Sequence, residues 1–451
     1  MKSKPTSVTL RSLGRHESPN VTFMDPDGTW PIVWQRAKGM HVWDETGRRY
    51  LDLTAAFGVA ACGHAPKQVV EAGQKQLGCL MHAMGDVHPH ALKGQLLAEL
   101  SRWTYERWYR RDARAGGMKT ERSAKSAQSA KSILCNSGFE AVEAALKTAH
   151  LATGRSGVIA FSGAYHGLGY GALTVTHRSH FRRPFQSQLK PFSYFVEYPS
   201  NRQSMQQSFD RLERLLKKGT VGAILVEAIQ SRAGLRMPPE GFLSGLRERC
   251  HAHGALLILD EIYTGFGRTG RWFACEHESV TPDLICVGKA LTGGFPLSAC
   301  IGSSNVMDEA WPRSTGEAMH TSTFLGHPVG CAMALAQLDL LKSRDLARAS
   351  HRQGAGWLKE LQERFAPMGH RVQVRGRGLM MGIELLDARG FPDGAQVVAW
   401  AKRLLQEGVV VLPSGESGEV LSLSPPLIIG ASHMQEASRK LLKTYRQLSS
   451  L

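Results

Sequence analysis

The chain has 451 residues, of which 42% are hydrophobic and 21% are charged. This balance is typical of a soluble globular protein, and the length is sufficient for one large domain and a smaller one. Because the sequence contains no run of about 20 apolar residues, we expect no membrane-spanning segment.

The N-terminus and the cysteines indicate the cellular compartment. Residues 1–20 are basic and lack an apolar stretch, which argues against a secretory signal, and Pro5 and Glu17 disfavour a transit peptide. The eight cysteines are scattered along the chain without a C-x-x-C pair. We therefore expect reduced thiols and a cytoplasmic protein.

The net charge of +16 raises the alternative of a nucleic-acid-binding protein. The excess basic charge is concentrated in residues 107–131, which are rich in Ser, Ala, Lys and Arg and show no hydrophobic period. This composition predicts a solvated loop. Its second half lacks interleaved aromatic residues and no nucleic-acid-binding signature surrounds it, so we favour a solvated insertion.

The first predicted strands form a short meander over residues 32–69, with a hairpin turn at residues 44–47. A strand over residues 132–135 then leads through a glycine turn to a helix over residues 141–151. Ser137 is predicted to cap this helix, with Glu140 completing a capping box. A strand, a glycine turn and a helix N-terminus favour anion binding, although an ordinary capped helix is the commoner outcome of such a turn.

Candidate functional residues follow the next two predicted strands. Tyr165 and His166 come after the strand over residues 157–161, and Glu227 comes directly after the strand over residues 222–226. By pattern alone, an aromatic residue and a histidine at such positions are more often core or surface residues.

Two further short strands, residues 255–259 and 283–287, lead to Asp260 and Lys289. Because the carboxyl ends of parallel strands meet in one crevice, we expect the carboxylate and the amine to lie at the same rim. This pair suits pyridoxal phosphate (PLP), which needs a lysine for its Schiff base and a carboxylate at its pyridinium nitrogen. Alone, either residue is more often a solvated cap or a turn residue.

Other readings of this region are weaker. Residues 265–270 spell G-x-G-x-x-G, but no convincing helix follows and no acidic residue lies about 20 positions further on, as a dinucleotide site requires. Lys289 does not complete a phosphate-binding P-loop, because Ala290 stands in the Ser/Thr position. The Cys/His groups at residues 250–253 and 275–278 lack partner clusters at zinc-finger spacing, so we predict no metal.

The runs DEIYTGFGRTGRWFACEH (residues 260–277) and PDLICVGKALTGGFPLSACIG (residues 282–302) resemble the class III aminotransferases, which include the ornithine, acetylornithine, 4-aminobutyrate and ω-amino-acid transaminases. The resemblance implies PLP-dependent transferase fold type I, an α/β protein with a large, doubly wound, mostly parallel sheet domain and a smaller α/β C-terminal domain. The implied boundaries are an N-terminal segment at 1–70 that packs with the small domain and a dimer partner, a PLP-binding domain at 71–327, and a C-terminal domain at 328–451.

The resemblance also implies roles for individual residues. Lys289 forms the Schiff base and moves the proton, Asp260 holds the pyridinium nitrogen and Tyr165 stacks on the ring, while His166 is structural. The further cofactor contacts that it implies are the amides of Gly138 and Phe139 at the phosphate, Glu227 and Tyr263 near the phenolic oxygen, and Thr323 at the phosphate of the neighbouring subunit. The implied pocket walls are Phe57, Ala60 and Ala61.

Arg375 and Arg232 are candidates for binding the substrate. Arg375, in the run VRGRGL, resembles the family's clamp for a substrate carboxylate, and Arg377 is the weaker candidate. Arg232 stands where the ornithine and 4-aminobutyrate enzymes carry a glutamate that pairs with an active-site arginine, and it cannot form that pair. Tyr263 likewise replaces the usual glutamine, although its hydroxyl can donate the same hydrogen bond.

The expected function is transfer of an amino group from an amine or an amino acid, including ω-amino acids, to a 2-oxo acid, pyruvate or 2-oxoglutarate. The expected assembly is a homodimer with shared active sites. Epimerases, aminomutases and decarboxylases of the same fold share the lysine and the aspartate and remain alternatives, as does a non-catalytic basic protein that binds nucleic acid.

Overall fold

The computed structural model describes residues 7–115 and 129–449. In these ranges the α-helices are α1 (Val8–His16), α2 (Ala55–Gly58), α3 (Lys67–Cys79), α4 (Ala91–Trp103), α5 (Tyr105–Ala115), α6 (Gly138–Thr153), α7 (Tyr170–Val175), α8 (Ser179–Arg182), α9 (Arg202–Leu216), α10 (Phe242–His253), α11 (Ser304–Ala310), α12 (Pro328–Ser343), α13 (Leu346–Phe365), α14 (Gly394–Gln406) and α15 (Ala431–Ser449). The strands are β1 (Trp34–Lys38), β2 (His41–Asp44), β3 (Arg49–Asp52), β4 (Ala130–Cys135), β5 (Gly157–Phe161), β6 (Ser193–Val196), β7 (Val221–Glu227), β8 (Leu256–Asp260), β9 (Leu284–Val287), β10 (Ser298–Ser303), β11 (Val372–Arg377), β12 (Met380–Leu385), β13 (Val409–Val410), β14 (Leu412–Ser414) and β15 (Val420–Leu423). Short 3-10 helices cover Arg183–Gln188, Ala274–Glu278, Lys289–Leu291 and Ala366–Arg371.

The central sheet has seven strands in the order β4-β10-β9-β8-β7-β5-β6. Neighbouring strands from β9 to β6 are parallel, and β10 runs antiparallel to both β9 and β4. Every residue of β5, β7 and β9 is buried, as expected for strands that helices cover on both faces. The predicted α/β fold with a large, mostly parallel sheet is confirmed.

Alternate residues of each central strand pack into two separate cores. In β5, Val158 and Ala160 join the core that contains α6, whereas Ile159 and Phe161 join the core that contains α9 and α10. Full burial of an aliphatic or aromatic side chain stabilises the fold by about 1.5–3 kcal/mol. Because both faces of the sheet are packed, the ends of its strands hold functional groups in fixed positions.

The strands that lead to Asp260 and Lys289 are neighbours, as predicted. The predicted strands at 255–259 and 283–287 correspond to β8 and β9, which pair in parallel with Asp260 opposite Cys286. Lys289 follows β9 in a short 3-10 turn. The carboxylate and the amine therefore leave the sheet at the same edge.

Two smaller sheets flank the central one. In the first, with the order β1-β2-β3-β13, Asp44 closes the predicted hairpin by accepting hydrogen bonds from the backbone N–H groups of Thr46 and Arg48 at 2.9 and 3.0 Å. Strand β13 pairs in parallel with β3, so the N-terminal segment shares a sheet with the C-terminal part of the chain. The second sheet, with the order β11-β12-β15-β14, is antiparallel. The domain boundaries at residues 70 and 327 stay a prediction.

The basic segment is structured where the chain is described. The prediction of a solvated loop over residues 107–131 is wrong at both ends: α5 runs to Ala115, and Lys131 belongs to β4, while residues 116–128 lie outside the described part. Buried Trp108 anchors α5, donating from its indole N–H to Glu276 at 2.9 Å. The apolar positions of α5 are aromatic and separated by arginines, which concealed their helical spacing.

The predicted capping box is also wrong. Ser137 is the N-cap of α6, but its side chain makes no capping hydrogen bond. Glu140 accepts instead from the backbone N–H of Asn136 at 2.8 Å.

No helix in the described ranges is long and apolar enough to cross a membrane. All eight cysteines are free thiols, and only Cys79 among them is exposed.

Candidate active site

A cavity of about 570 Å³ opens where β7, β8 and β9 end. The central sheet supplies one side of it, the N-terminus of α6 another, and the turn at α2 a third. Its walls are formed by Phe57, Gly138, Phe139, Tyr165, His166, Gly167, Leu168, Glu227, Ile229, Ser231, Arg232, Asp260, Ile262, Tyr263, Thr264 and Lys289. The cavity thus collects most of the site residues that the sequence predicts.

Lys289 presents its amine to this cavity from a strained backbone. Its φ of 39° lies in the left-handed region, which is uncommon for a residue other than glycine and is found mainly at functional sites. Its Nζ lies 4.7 Å from the ring centroid of Tyr263. Burial lowers the pKa of the Lys289 amine, the charges of Asp260 and Glu227 oppose that shift, and the charge of Arg232 adds to it. The lowered pKa favours the neutral amine, which is the form that can act as a nucleophile or a base.

Asp260 is oriented by His166. One carboxylate oxygen of Asp260 lies 2.8 Å from Nδ1 of His166, and the other accepts the backbone N–H of Ile262 at 3.1 Å. Both side chains of the pair are buried. Sequence reasoning treats His166 as structural, whereas it fixes the direction of the carboxylate. The signal that was available is the position of His166 next to Tyr165 in the aromatic-His-Gly motif.

Glu227 holds the two loops that border the cavity. It accepts the backbone N–H of Tyr165 at 3.0 Å and that of Ser231 at 3.4 Å. Burial raises the pKa of this carboxyl group to about 7. Glu227 is therefore poised to change its protonation state near neutral pH.

Two aromatic rings and an arginine pack together beside the cavity. The ring of Tyr165 meets that of Phe181 edge to face, with their centroids 5.4 Å apart. The guanidinium of Arg232 lies 5.1 Å from the Tyr165 centroid, within the range of a cation–π contact.

The N-terminus of α6 forms the anion-binding end of the cavity. The first N–H groups of an α-helix, here those of Gly138 and Phe139, have no partner within the helix, and the helix dipole adds partial positive charge. The hydroxyl of Ser137 is buried at the same point without a hydrogen-bond partner in the described part of the chain. A side chain in place of Gly138 would crowd Ile262, since its Cβ would lie 3.0 Å from the isoleucine Cδ1. This end of the cavity therefore suits a phosphate group.

Comparisons with known proteins agree with this geometry. A family model for Aminotransferase class-III matches residues 23–444. An acetylornithine aminotransferase from Methanopyrus kandleri is 35% identical over 425 residues, which cover 94% of this chain and 96% of the relative. The chain belongs to the class III aminotransferases. An acetylornithine aminotransferase from Archaeoglobus fulgidus is 33% identical over 413 residues, covering 91% of this chain and 95% of the relative.

Solved structures of aminotransferases share the whole fold. The ornithine aminotransferase from Toxoplasma gondii superposes with a TM-score of 0.81 and 27% identity, covering 100% of this chain and 97% of that protein. An aminotransferase from Bacillus anthracis superposes with a TM-score of 0.84 and 25% identity, covering 99% of this chain and 100% of that protein.

Class III aminotransferases use PLP, and the cavity of this aminotransferase fits it. The buried Ser137 hydroxyl, which has no hydrogen-bond partner among the described residues, lies at a helix N-terminus suited to the phosphate, and Lys289 and Asp260 line the same cavity. A lysine and a carboxylate are the two groups that the cofactor requires.

Five predicted residues lie outside the walls of this cavity, among them Arg377, which lines a separate cavity. Arg375 instead pairs with Glu384, and Thr323 is exposed. Ala60 and Ala61 are buried elsewhere in the aminotransferase. The carboxylate clamp at Arg375 and the phosphate contact of Thr323 stay predictions.

Phe57 does line the cavity, as predicted. It projects from α2, where Ala56 and Phe57 have left-handed φ angles of 49° and 62°. This strained turn carries an aromatic ring to the rim, where its side chain remains exposed.

Proposed function

We propose that the aminotransferase moves an amino group from an amine or an ω-amino acid to a 2-oxo acid, pyruvate or 2-oxoglutarate, with Lys289 as the catalytic amine. The observation that carries this proposal is the placement of Lys289 in one cavity with Asp260 and the N-terminus of α6. Burial there lowers the pKa of the lysine amine. The relatives that carry the name acetylornithine aminotransferase favour a donor with an amino group far from its carboxylate.

The residues of the cavity divide the chemistry between them. PLP, when bound, supplies a ring that withdraws electrons from the substrate carbon as a proton leaves. Lys289 would take that proton at its Nζ and later give it back, which requires the neutral amine that burial favours. Asp260, held by His166, would keep the ring nitrogen protonated. Tyr165 would hold the plane of the ring from the opposite wall.

The proposal is tested by incubating the purified enzyme with PLP, a panel of amines and ω-amino acids, and pyruvate or 2-oxoglutarate. We expect alanine or glutamate to form, and Lys289→Ala to abolish that formation. Borohydride should attach the cofactor covalently to Lys289 in the wild type, as detected by peptide mass spectrometry. Racemised donor without amino exchange would falsify the transaminase proposal.

We also propose a homodimer in which Thr323 reaches the partner subunit's phosphate end. Two neighbouring segments support it, since His82 and Phe324 contact each other with ring centroids 5.4 Å apart. These segments expose large apolar side chains, namely Leu80, Met81, Met84, Val87, Met319 and Phe324. Apolar patches of this kind mark protein interfaces.

We further propose that the protein is located in the cytoplasm. The free state of all eight cysteines is in keeping with a reducing compartment. Fractionation of cells that produce the full chain, followed by detection in the soluble cytoplasmic fraction, tests it.

A further inference from the structure

Arg232 lies in a tight loop at the cavity wall. The loop is closed by paired backbone hydrogen bonds between Gln230 and Arg236, at 3.0 and 3.1 Å. The Arg232 guanidinium lies 5.1 Å from the ring centroid of Tyr165 and 5.9 Å from that of Phe181. Its Nε is buried without a hydrogen-bond partner in the described ranges. A buried donor without a partner is costly unless a ligand satisfies it.

A second arginine stands beside it. The guanidinium of Arg178 lies 5.7 Å from the Phe181 centroid and donates to the backbone carbonyl of Glu416 at 3.2 Å. Burial lowers the pKa of Arg178, and the charge of Arg232 lowers it further, so the two cations repel each other. Within residues 7–115 and 129–449, neither arginine forms an ion pair with a carboxylate.

This positive charge acts on the reacting amine. Arg232 contributes to the lowered pKa of Lys289, which places its guanidinium within electrostatic range of Nζ. The charges of Glu416 and Glu419 partly offset that of Arg178. Two cations beside the reacting group, neither of them in an ion pair within the described ranges, form a receptor for an anion that belongs to the substrate.

Arg375 has a different task in this structure. Its Nε donates to the backbone carbonyls of Gly234 and Leu235, both at 3.1 Å, and its guanidinium pairs with Glu384. Both carbonyls belong to the loop that carries Arg232. Arg375 therefore holds this loop in place while its own charge is compensated.

We propose that Arg232, supported by Arg178, binds the carboxylate of the substrate, and that Arg375 is a positioning residue for the Arg232 loop. The inference rests on the proposed function and names the substrate class: both the amino donor and the 2-oxo acid present a carboxylate to Arg232. Neither carboxylate of the cavity wall, Glu227 or Asp260, pairs with Arg232, so Arg232 stays available to a substrate anion in both halves of the reaction.

Pyruvate and acetaldehyde test this proposal, because acetaldehyde is pyruvate with its carboxylate replaced by hydrogen. We expect Arg232→Gln to lower kcat/KM for pyruvate by about 10- to 100-fold, the loss of a charge-assisted hydrogen bond, and to leave kcat/KM for acetaldehyde nearly unchanged. Compared with Arg232→Gln, Arg232→Lys should retain part of the preference for pyruvate. Lysine keeps the positive charge but lacks the planar guanidinium that can donate two parallel hydrogen bonds. Arg375→Gln should lower kcat/KM for both acceptors by the same factor, so that the ratio of the two values is retained.

The matched control is Arg389→Gln, since the Arg389 side chain is 80% exposed and lies near Asp387. This substitution should leave kcat/KM for both acceptors unchanged. Calorimetry with propanoate on the holoenzyme adds a readout other than activity, and Arg232→Gln should raise the Kd by about 10- to 100-fold.

The outcomes separate this inference from the proposed function. If the wild type transaminates and the preference for pyruvate is lost in Arg375→Gln but kept in Arg232→Gln, the family's clamp operates and the inference is wrong. If the wild type transfers no amino group from any donor, the proposed function fails, while propanoate binding still reports on Arg232.

Discussion

The buried carboxyl group of Glu227 makes the stability of the folded protein depend on pH. Its side chain is buried at 7% exposure, and burial raises the pKa of its carboxyl group from 4.5 to about 7. Between these values the folded protein holds the proton more tightly than the unfolded chain does. The folded state is therefore stabilised below pH 4.5 relative to neutral pH, and this contribution is lost as the pH rises through about 7, at a total of about 3 kcal/mol.

Glu227→Gln tests that cost, because glutamine keeps the size of the side chain without its titration. We expect the free energy of unfolding of the cofactor-free wild type to fall, relative to that of Glu227→Gln, as the pH rises from 4.5 to 7. Urea titrations at a series of pH values measure the difference. Parallel pH dependences of the two proteins would show that Glu227 titrates normally.

Residues at strand ends are the part of the site that sequence can predict. Asp260 and Lys289 each follow a short apolar run, and the edge that parallel strands share brings them together. The role of His166 depends instead on the direction of its ring toward Asp260, which no spacing encodes. Arg375 pairs with Glu384, which lies diagonally across from it on the neighbouring strand, opposite Gln373. The spacing of the sequence does not reveal that pairing.

At the scale of elements, α13 packs against the turn between β11 and β12 at two small residues. The hydroxyl of Ser350 accepts the backbone N–H of Leu379 at 3.1 Å. A Cβ added at Gly354 would overlap the backbone carbonyl of Gly378. Because Gly378 has a φ of 60°, the turn cannot readily shift or accept a side chain of its own. The same turn follows the strand that carries Arg375.

Gly354→Ala should therefore destabilise the protein although alanine favours helices. We expect a loss of roughly 3 kcal/mol in the free energy of unfolding, from overlap with backbone that cannot move. The matched control is Gly356→Ala in the same helix, where nothing lies within 4 Å. It should stabilise by about 0.5–1 kcal/mol. If chemical denaturation gave similar changes in the free energy of unfolding for the two substitutions, the turn between β11 and β12 would have shifted to accommodate the new side chain.

The helical elements differ in how far their sequences predict them. In α6, aliphatic and alanine residues recur on one face, so the helix and its N-cap residue are evident and only the capping hydrogen bonds are predicted wrongly. In α5, Tyr105 and Trp108 are buried, but the sequence around them is rich in arginine. The apolar face of this helix is therefore not apparent from its composition. Arginine stems cover apolar surface while their guanidinium groups reach solvent or carboxylates, so charge density alone does not predict a loop.

At the scale of the whole molecule, the homodimer that we propose would bring the partner subunit's Thr323 to the phosphate end of the cavity. Thr323 is exposed and follows a segment that Thr321 fastens to Asp86 by a hydrogen bond of 2.6 Å. The exposed apolar side chains around this segment give the proposed dimer an interface in which the two subunits exchange residues. A two-fold axis then places each Thr323 at the other subunit's active site.

Subunit exchange tests that arrangement directly. Lys289→Ala lacks the catalytic amine, and Thr323→Val lacks the hydroxyl for the partner's site, so each homodimer should be impaired. A mixed dimer has one site with Lys289 from one subunit and Thr323 from the other, which is the wild-type composition. Denaturing, mixing and refolding equal amounts of the two variants should therefore restore about a quarter of the wild-type sites above the parental background. Activity that equals the mean of the two parents, with mixed dimers verified by mass spectrometry, would place both residues in the same subunit's site.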